Sequence, residues 1–263
     1  MDQQKPFENH VKRMLKAGKK TAGAWAQITS PISAEILSGA GFDWLIIDME
    51  HGPNDIPSLV AQMQAMKGTS AIPIVRAPWN DFVMIKRILD AGAYGLLIPY
   101  VNTKSEAEAA VKACKYPPSG IRGIAGSTRA AHFGRNSMDY FSKANEEILV
   151  ITQVETRQAV ENIDEILEVN GLDGIFIGPM DLATSYGYMY DPGQPEVQSA
   201  IESVEAKVKG TGKFLGTISF NWNQAKQLYQ RGYQMISLMA DGTGLAAMAE
   251  EKMADFRNTY PSG

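Results

Sequence analysis

Short apolar runs alternate with segments of helical periodicity along the whole sequence. The runs are four to seven residues long, the length expected for strands that are buried on both faces of a parallel sheet. They cover Thr21–Gln27, Trp44–Asp48, Ile72–Arg76, Gly95–Pro99, Ile148–Thr152, Gly174–Ile177, Phe214–Ile218 and Met235–Leu238. Eight such strands, each followed by a helical pattern, predict an α/β fold, a single (β/α)8 TIM barrel that spans residues 1–263.

Two terminal helices and one irregular segment complete the predicted barrel. Helices are expected over Phe7–Ala17 and Leu245–Asn258, and the apolar residues of the last helix are expected to pack at an oligomer interface. Segment Lys115–Glu147 is rich in Pro, Gly and Arg without a clear strand, which predicts an elaborated loop at the barrel mouth. An open, doubly wound sheet is the alternative fold. It is disfavoured because Gln27–Ser30, after the first strand, is not a glycine-rich dinucleotide-binding loop.

The charge distribution argues against several classes of partner. The 25 Lys and Arg residues are scattered among 29 Asp and Glu residues and leave a net charge of −4, so no basic surface for nucleic acid is expected. The sequence has no apolar run of roughly 18 residues, the length of a membrane-spanning helix, and no signal-peptide pattern at its start. We therefore expect a cytoplasmic protein that binds neither nucleic acid nor a membrane.

Charged residues stand at the C-terminal ends of four predicted strands. Asp48 ends the second strand, Arg76 ends the third, Glu155 follows the fifth and Asp181 follows the sixth. In a (β/α)8 barrel the C-terminal ends of the strands form the mouth, the face that carries the active site. The pattern therefore predicts an enzyme whose charged side chains converge at this mouth.

Glu155 and Asp181 are the candidate metal ligands. Paired carboxylates suit a hard divalent cation such as Mg2+ or Mn2+. For Asp181 the alternative is a helix N-cap, because Gly178 and Pro179 break the preceding strand and Asp is a preferred capping residue. The charges at the other strand ends favour the metal interpretation.

His51 is the candidate general base. Asp48 lies three residues before it, close enough to hold one ring nitrogen and set the tautomer of the imidazole. The alternative is a surface histidine without a catalytic role. Arg76 is either an ion-pair partner of Asp48 or Glu50, or a donor to a carboxylate or a developing oxyanion. No lysine ends a predicted strand at the mouth, which disfavours a Schiff-base aldolase.

Six motifs carry a resemblance to a known family. They are Leu45–Pro53 (LIIDMEHGP), Pro73–Pro78 (PIVRAP), Lys86–Pro99 (KRILDAGAYGLLIP), Tyr116–Gly123 (YPPSGIRG), Gln153–Thr156 (QVET) and Ile177–Gly187 (IGPMDLATSYG). With these motifs in order over Lys16–Arg257, the sequence resembles the HpcH/HpaI family of class II, metal-dependent pyruvate aldolases. The resemblance implies a phosphoenolpyruvate/pyruvate-type barrel. It also implies reversible cleavage of 4-hydroxy-2-oxo acids, of 2-keto-3-deoxy sugar acid or 2,4-dihydroxyhept-2-enedioate type, to pyruvate and an aldehyde.

The resemblance implies how this site binds metal and pyruvate. Glu155 and Asp181 would be the ligands of a divalent metal, Mg2+, Mn2+ or Co2+, with Gln153 beside them. Arg76 would contact the keto or enolate oxygen of pyruvate. The pyruvate carboxylate would be held by the backbone of one turn, Gly178, Pro179, Met180 and Asp181.

The resemblance also implies proton transfer and assembly. His51, paired with Asp48, would be the proton-transfer residue. Asp90 would complete the site of a neighbouring subunit, which makes the expected active form a homo-oligomer, a homohexamer.

Two alternatives and one specificity question stay open at this point. The same barrel is compatible with an acyl-CoA lyase of malyl-CoA or citryl-CoA type, another enolate-forming lyase or a phosphoenolpyruvate-type transferase, or with a barrel that only binds or assembles. Arg122, Arg129 and Arg135 are the only arginines grouped enough to suggest a CoA or phosphate subsite. The aldehyde is expected to be read by the Arg122–Arg135 loop and by Ser219–Trp222; the candidates are succinic semialdehyde, a hydroxyaldehyde or a sugar-acid semialdehyde.

Overall fold

Parallel strands pair in chain order, and the last strand pairs with the first to close a barrel. The computed structural model describes residues 7–135 and 137–261. The strands are β1 (Thr21–Ala26), β2 (Trp44–Asp48), β3 (Ile72–Arg76), β4 (Gly95–Ile98), β5 (Leu149–Val154), β6 (Gly174–Ile177), β7 (Phe214–Ile218) and β8 (Met235–Ala240). The closed parallel sheet confirms the predicted (β/α)8 fold and rules out the open sheet.

Helices surround the barrel. They are α1 (His10–Lys16), α2 (Pro31–Gly39), α3 (Ile56–Ala65), α4 (Phe82–Ala91), α5 (Lys104–Cys114), α6 (Ser137–Glu147), α7 (Arg157–Glu161), α8 (Ile163–Leu167), α9 (Pro179–Ser185), α10 (Pro195–Val208), α11 (Trp222–Arg231) and α12 (Asp241–Thr259), with a 3-10 helix at His132–Gly134. The helix predicted over Ala159–Val169 is two helices that meet at Asn162. The side-chain amide of Asn162 donates to the backbone carbonyl of Asn102 at 2.8 Å. The backbone angles of Asn162 lie outside the helical range.

Two apolar layers stabilise the barrel. The inner layer fills the barrel itself, and the outer layer lies between the strands and the helices, as the alternation of side chains along each strand requires. Large buried residues of the inner layer include Trp25, Trp44, Ile74, Leu97 and Phe176.

A close approach inside the barrel depends on Gly23. A Cβ atom at this position would lie 2.1 Å from the indole of Trp44, so only glycine leaves room for that ring. Trp44 is fully buried, and its Nε1 donates to the hydroxyl of Thr21 at 3.0 Å. The buried indole therefore has its hydrogen-bond partner within the barrel.

Lysines line the N-terminal end of the barrel, opposite the mouth. Lys12 is buried, and its Nζ contacts Asp173 Oδ2 at 2.8 Å and the carbonyl of Ile148 at 2.7 Å. Lys213 donates to the carbonyls of Val169 and Leu172 at 3.1 and 3.0 Å. Neither amine lies at the mouth, where a Schiff-base mechanism would need a lysine, so the structure agrees with the disfavoured status of that mechanism.

Asp241 joins the last strand to the first at the mouth. Its Oδ1 accepts from the backbone N–H of Gln27 at 2.8 Å, and its Oδ2 accepts from the hydroxyl of Ser33 at 2.7 Å. The carboxylate also contacts the N–H of Ile28. The carboxylate therefore satisfies backbone donors where β1 leads into α2.

The prediction that segment 115–147 forms a loop at the mouth is wrong. In this barrel the segment connects a helix, α5, to a strand, β5, and such connections lie on the N-terminal face. Ala130 donates to the carbonyl of Asp90 at 3.0 Å and Arg129 to that of Ala91 at 2.7 Å, both at the end of α4 that faces away from the mouth. The segment also contains a helix, α6, that the sequence analysis did not predict.

The last helix leaves the barrel surface. Only Asp241 of α12 is buried, and the apolar residues Leu245, Met248, Met253 and Phe256 are each about half exposed. The predicted interface at this helix stays a prediction. Within the described residues, no helix has both the length and the apolar character needed to cross a membrane.

Candidate active site

Asp48 and Arg76 form a buried ion pair at the mouth. They end the neighbouring strands β2 and β3, whose register places the two residues side by side. Arg76 Nε donates to Oδ1 of Asp48 at 2.8 Å, and Nη2 donates to Oδ2 at 2.6 Å. This two-point contact fixes the plane of the guanidinium.

Residues at and just after the C-terminal end of the first strand complete the surroundings of this pair. Trp25 Nε1 and Gln27 Nε2 donate to Oδ2 of Asp48 at 3.1 and 2.9 Å. The guanidinium carbon of Arg76 lies 4.8 Å from the centre of the Trp25 ring, a cation–π contact. Burial raises the pKa of Asp48, but the hydrogen bonds and charge of Arg76, with the donors Gln27 and Trp25, outweigh it and lower this pKa to about 2. The carboxyl is therefore ionised at neutral pH.

Glu50 adds a second carboxylate to Arg76. Its Oε2 lies 3.0 Å from Nη1 of Arg76, an ion pair whose geometry makes no hydrogen bond. Burial raises the pKa of Glu50, while the positive charge of Arg76 opposes the change.

His51 is exposed at the mouth, in the turn that follows β2. The predicted hydrogen bond between Asp48 and the imidazole is wrong: Oδ1 of Asp48 accepts the backbone N–H groups of His51 at 3.3 Å and of Glu50 at 3.1 Å. The reason is that Arg76, Trp25 and Gln27 occupy the rest of the carboxylate. Asp48 therefore positions the backbone of the His51 turn. A Cβ atom at Gly52 would lie 2.5 Å from the carbonyl of Asp48, so this turn also needs glycine.

Glu155 is buried just after β5 and is bonded on both oxygens. Its Oε1 accepts the backbone N–H of Tyr100 at 2.7 Å, and its Oε2 accepts Nε2 of Gln153 at 2.7 Å. Burial, with the charges of Glu50 and Asp181, raises the pKa of Glu155 to about 7. Gly178 lies against this carboxylate, because a Cβ atom there would be 2.9 Å from Oε2.

Asp181 stands in the first turn of α9, partly buried and close enough for its charge to act on Glu155. The N-cap interpretation is wrong, because the cap of this helix is Gly178 and no side chain bonds to it. Within the turn, Gly178 N–H donates to the carbonyl of Val154 at 3.1 Å and Pro179 has no N–H. The amides available to a ligand are therefore those of Met180 and Asp181.

These residues fit a divalent cation. Among residues 7–135 and 137–261 no three His, Cys, Asp or Glu side chains form a complete ligand set. Glu155 and Asp181 nevertheless bring two carboxylates together, and Oε1 of Gln153 is buried without a hydrogen-bond partner. One or two carboxylates, completed by water and substrate oxygens, are typical of Mg2+ sites in enzymes. A cation here would balance the adjacent negative charges and use the oxygen of Gln153.

Asp90 lies away from this site in its own barrel. It stands near the end of α4, and its Oδ1 accepts Nη2 of Arg122 at 2.7 Å. The buried guanidinium of Arg122 lies between Tyr116 and Tyr140, with its central carbon 4.5 and 5.5 Å from the two ring centres. Asp90 is therefore distant from the mouth of its own barrel, and its role in a neighbouring subunit stays a prediction.

Three residues of the site were not among the predicted ones: Trp25, Gln27 and Tyr100. The sequence did carry a signal for the first two, since both stand at the C-terminal end of the first apolar run, as Asp48 and Arg76 do for theirs. Tyr100 follows the fourth run, but its role is played by a backbone N–H, for which a sequence has no signal.

The fold, the acidic mouth and the fixed side chain of Arg76 define a (β/α)8-barrel enzyme. A family model described as HpcH/HpaI aldolase/citrate lyase matches residues 21–247. Proteins named 4-hydroxy-2-oxo-heptane-1,7-dioate aldolase are similar: one from Escherichia coli is 43% identical over 95% of both chains, and one from Shigella flexneri is 43% identical over 96% of this chain and 95% of its own. The chain belongs to the HpcH/HpaI aldolase/citrate lyase family.

A solved structure supports the same assignment. The crystal structure of an HpcH/HpaI aldolase/citrate lyase family protein from Burkholderia cenocepacia J2315 has a TM-score of 0.91 and 36% identity, with 95% of this chain and 99% of that chain covered. The protein is therefore a carbon–carbon lyase, an aldolase of a metal-dependent family, which supports a divalent metal as its cofactor.

Proposed function

We propose that the protein cleaves 4-hydroxy-2-oxo acids to pyruvate and an aldehyde and catalyses the reverse condensation. The observation that carries this proposal is the fixed guanidinium of Arg76 close to the carboxylate of Glu155, which in turn lies close to that of Asp181. The E. coli and Shigella relatives are named for a 4-hydroxy-2-oxo diacid, whose cleavage between C3 and C4 yields pyruvate and succinic semialdehyde.

The chemistry needs a base and a stabiliser of negative charge. When the 4-hydroxyl loses its proton, the C3–C4 bond breaks and C4 becomes the carbonyl carbon of the aldehyde. The electron pair of that bond stays on the pyruvate fragment as its enolate, and a proton added at C3 gives the methyl group. In the proposal, His51 at the exposed turn takes and returns these protons.

Arg76 is proposed to stabilise the enolate oxygen. A guanidinium has five N–H donors, and Asp48 uses one on Nε and one on Nη2. Donors on Nη1 and Nη2 remain for substrate. Because the Asp48 contact and the Trp25 ring fix the group in advance, no reorganisation is needed as charge develops on the oxygen.

Glu155 and Asp181, with Gln153 beside them, are the proposed holders of Mg2+, Mn2+ or Co2+. A bound divalent cation would supply Lewis-acid polarisation of the 2-keto oxygen. The amides of Met180 and Asp181, at the start of α9, are proposed to bind the pyruvate carboxylate, since first-turn amides have no partner within a helix.

Assembly and location complete the proposal. We propose a homohexamer in the cytoplasm, in which Asp90 of one subunit completes the mouth of another and neither nucleic acid nor membrane is a partner. The support is the position of Asp90, which faces away from its own mouth, and the exposed apolar residues of α12.

The acyl-CoA lyase alternative has less support. Such an enzyme needs cations for the phosphates of CoA, and the arginines considered for that role do not lie at the mouth of their own barrel. Arg122 is bonded to Asp90, and Arg129 to the carbonyl of Ala91, on the opposite face. Turnover of malyl-CoA or citryl-CoA by the purified protein would favour this alternative over the aldolase.

The test measures pyruvate release from a 4-hydroxy-2-oxo acid before and after exhaustive treatment with EDTA. We expect activity to be lost and then restored by Mg2+, Mn2+ or Co2+. The variants Glu155→Gln and Asp181→Asn should stay folded, lose cleavage, and lose the rise in melting temperature that added metal gives the wild type. Glu196→Gln, which changes an exposed carboxylate in an ion pair with Arg157, is the control and should behave as wild type. Full activity in metal-free protein would contradict the proposal.

A further inference from the structure

Asn102, in the connection between β4 and α5, forms a hydrogen bond with each of its four polar groups. Its N–H donates to Oε2 of Glu106 at 2.6 Å, and its carbonyl accepts Nδ2 of Asn162 at 2.8 Å. Its side-chain Nδ2 donates to the carbonyl of Tyr100 at 3.2 Å, and its Oδ1 accepts the hydroxyl of Thr156. The protein itself therefore fixes both the backbone and the side chain of this half-buried residue.

These bonds join the connection after β4 to the connection after β5. The N–H of Tyr100 donates to Oε1 of Glu155 at 2.7 Å, and Glu155 is the neighbour of Thr156 in the chain. Glu155, Tyr100, Asn102 and Thr156 thus form a closed ring of contacts, which we call the Asn102 network. Because the ring is closed, Glu155 cannot move away from the mouth without breaking one of its hydrogen bonds.

The backbone of Tyr100 depends on this network. Tyr100 has φ +53, a left-handed conformation that is unfavourable for a bulky residue. Its N–H is bonded to Glu155 and its carbonyl to Asn102, so the network holds the polar groups on both sides of this residue. Residues in such conformations persist where the surrounding structure maintains them, and they concentrate at functional sites. Asn102 therefore maintains the conformation that directs the N–H of Tyr100 at the carboxylate.

The carboxylate of Glu155 needs such support before a cation binds. It is buried, and the like charges of Glu50 and Asp181 act on it. Repulsion among these carboxylates favours conformations in which Glu155 turns away from the other two. A side chain that is already in place loses less conformational freedom when its ligand binds, so the ligand binds more tightly.

We propose that Asn102 is a positioning residue for the divalent metal: through Tyr100 and Thr156 it holds Glu155 in the conformation that binds the cation. This inference rests on the proposed function, because it takes Glu155 as a metal ligand. The hydrogen bonds that carry it lie within one chain. Residues that orient metal ligands in this way commonly contribute about 10- to 100-fold to metal affinity.

The test measures the dissociation constant of Mn2+ by titration calorimetry, or that of Mg2+ or Co2+ if the wild type binds one of these more tightly. Asn102→Ala should raise this constant by about tenfold or more. The melting temperature of the metal-free protein is measured in parallel, because it reports the purely structural effect of each substitution.

Asn145→Ala is the matched control. Asn145 also bonds to the backbone of another segment: its Oδ1 accepts the N–H of Tyr116 at 2.7 Å, and its Nδ2 donates to the carbonyl of Tyr116 at 3.1 Å. It lies in the segment on the face opposite the mouth. Both variants should lower the melting temperature of the metal-free protein, and only Asn102→Ala should weaken metal binding. A dissociation constant for Asn102→Ala within about threefold of the wild type, or an equal rise in both variants, would overturn the inference.

A second pair of variants tests the network at another bond. Thr156→Val removes the hydroxyl that bonds to Asn102 and keeps the shape of the side chain, whereas Thr156→Ser keeps the hydroxyl. Thr156→Val should raise the dissociation constant by about tenfold, and Thr156→Ser should stay near the wild type. The hydroxyl also caps α7 through the N–H of Ala159, and the melting temperature records that loss separately. Equal metal affinity in the two variants would contradict the inference, also if Asn102→Ala fails to fold.

A further comparison distinguishes this inference from the proposed function. Glu155→Gln replaces the proposed ligand itself and should abolish binding of the metal. If the wild type binds none of the three cations, or if Glu155→Gln binds as tightly as the wild type, the proposed function fails and the inference with it. If the wild type binds metal through Glu155 and Asn102→Ala binds it equally well, the function stands and only the inference about Asn102 is wrong.

Discussion

The guanidinium of Arg76 and the carboxylate of Asp48 meet through two hydrogen bonds at the ends of neighbouring strands, at 2.8 and 2.6 Å. Asp48 is fully buried and Arg76 nearly so, and each is the main charge partner of the other. The pair therefore links two properties that are usually separate, the stability of the barrel mouth and the direction in which Arg76 presents its remaining donors.

Asp48→Asn should destabilise the fold by about 3–5 kcal/mol, because it leaves the buried charge of Arg76 without its main partner. The measurement is the free energy of unfolding in urea. Glu196→Gln, which breaks the exposed ion pair with Arg157, is the control and should cost less than about 1 kcal/mol. Equal losses in the two variants would show that burial adds nothing to the Asp48 contact.

The same carboxyl predicts an acid-sensitive component of stability. The pKa of Asp48 is lowered from its usual value of 3.8 to about 2 in the folded protein. The stabilisation that this gives is fully present above pH values near 4 and is lost as the pH falls toward 2, because the unfolded chain then binds the proton more readily. The free energy of unfolding, measured in urea between pH 2 and pH 6, should fall less steeply with falling pH for Asp48→Asn than for the wild type. The difference between the two slopes should correspond to up to about one bound proton. Parallel profiles for variant and wild type would contradict the assignment.

His51→Ala should slow aldol turnover by about 10^2 to 10^4, the usual effect of removing a general base. The stabilisation by added metal should persist, because His51 is exposed and is not one of the proposed ligands. His10→Ala changes a histidine of α1 at the opposite end of the barrel and serves as the control. Turnover within a few-fold of wild type in His51→Ala would leave this histidine without a catalytic role.

Asp90 should act in the site of a neighbouring subunit. Asp90→Ala is expected to be inactive as a homo-oligomer, like His51→Ala. When the two inactive proteins are dissociated and reassembled together, some sites combine an intact His51 with an intact Asp90 from different chains, and part of the activity should return. Light scattering should give the mass of a hexamer. An active monomer, or mixtures that stay inactive, would exclude this arrangement.

The sequence predicted the barrel and the strand ends well because both follow from local patterns. Apolar runs of the length of buried strands defined β2, β3, β6 and β7 to the residue, and the direction of a parallel strand decides which end reaches the mouth. Asp48, Arg76, Glu155 and Asp181 are accordingly found at one face.

The errors have a different origin. The hydrogen bond expected between Asp48 and the ring of His51 was inferred from nearness in sequence. The donors that replace it come from Trp25 and Gln27, more than 20 residues earlier, and pairing of β1 with β2 brings them to Asp48. The prediction that segment 115–147 lies at the mouth rests on the fact that irregular, arginine-rich segments are often functional. The order of helix and strand around it fixes the opposite face, and this order was already readable from the sequence.

The contact of Asp241 with Gln27 and Ser33 sets the time at which this protein can finish folding. The two ends of that contact are separated by 214 and 208 positions in the chain, and β1 has no neighbour on one side until β8 arrives. A ribosome that releases the chain from its N-terminus must therefore extrude nearly all of it before the sheet can close. Until then β1 has an unpaired edge, which is exposed to pairing with other chains. Chaperones that shield nascent chains are thus expected to matter until the last strand has been synthesised and has paired with β1.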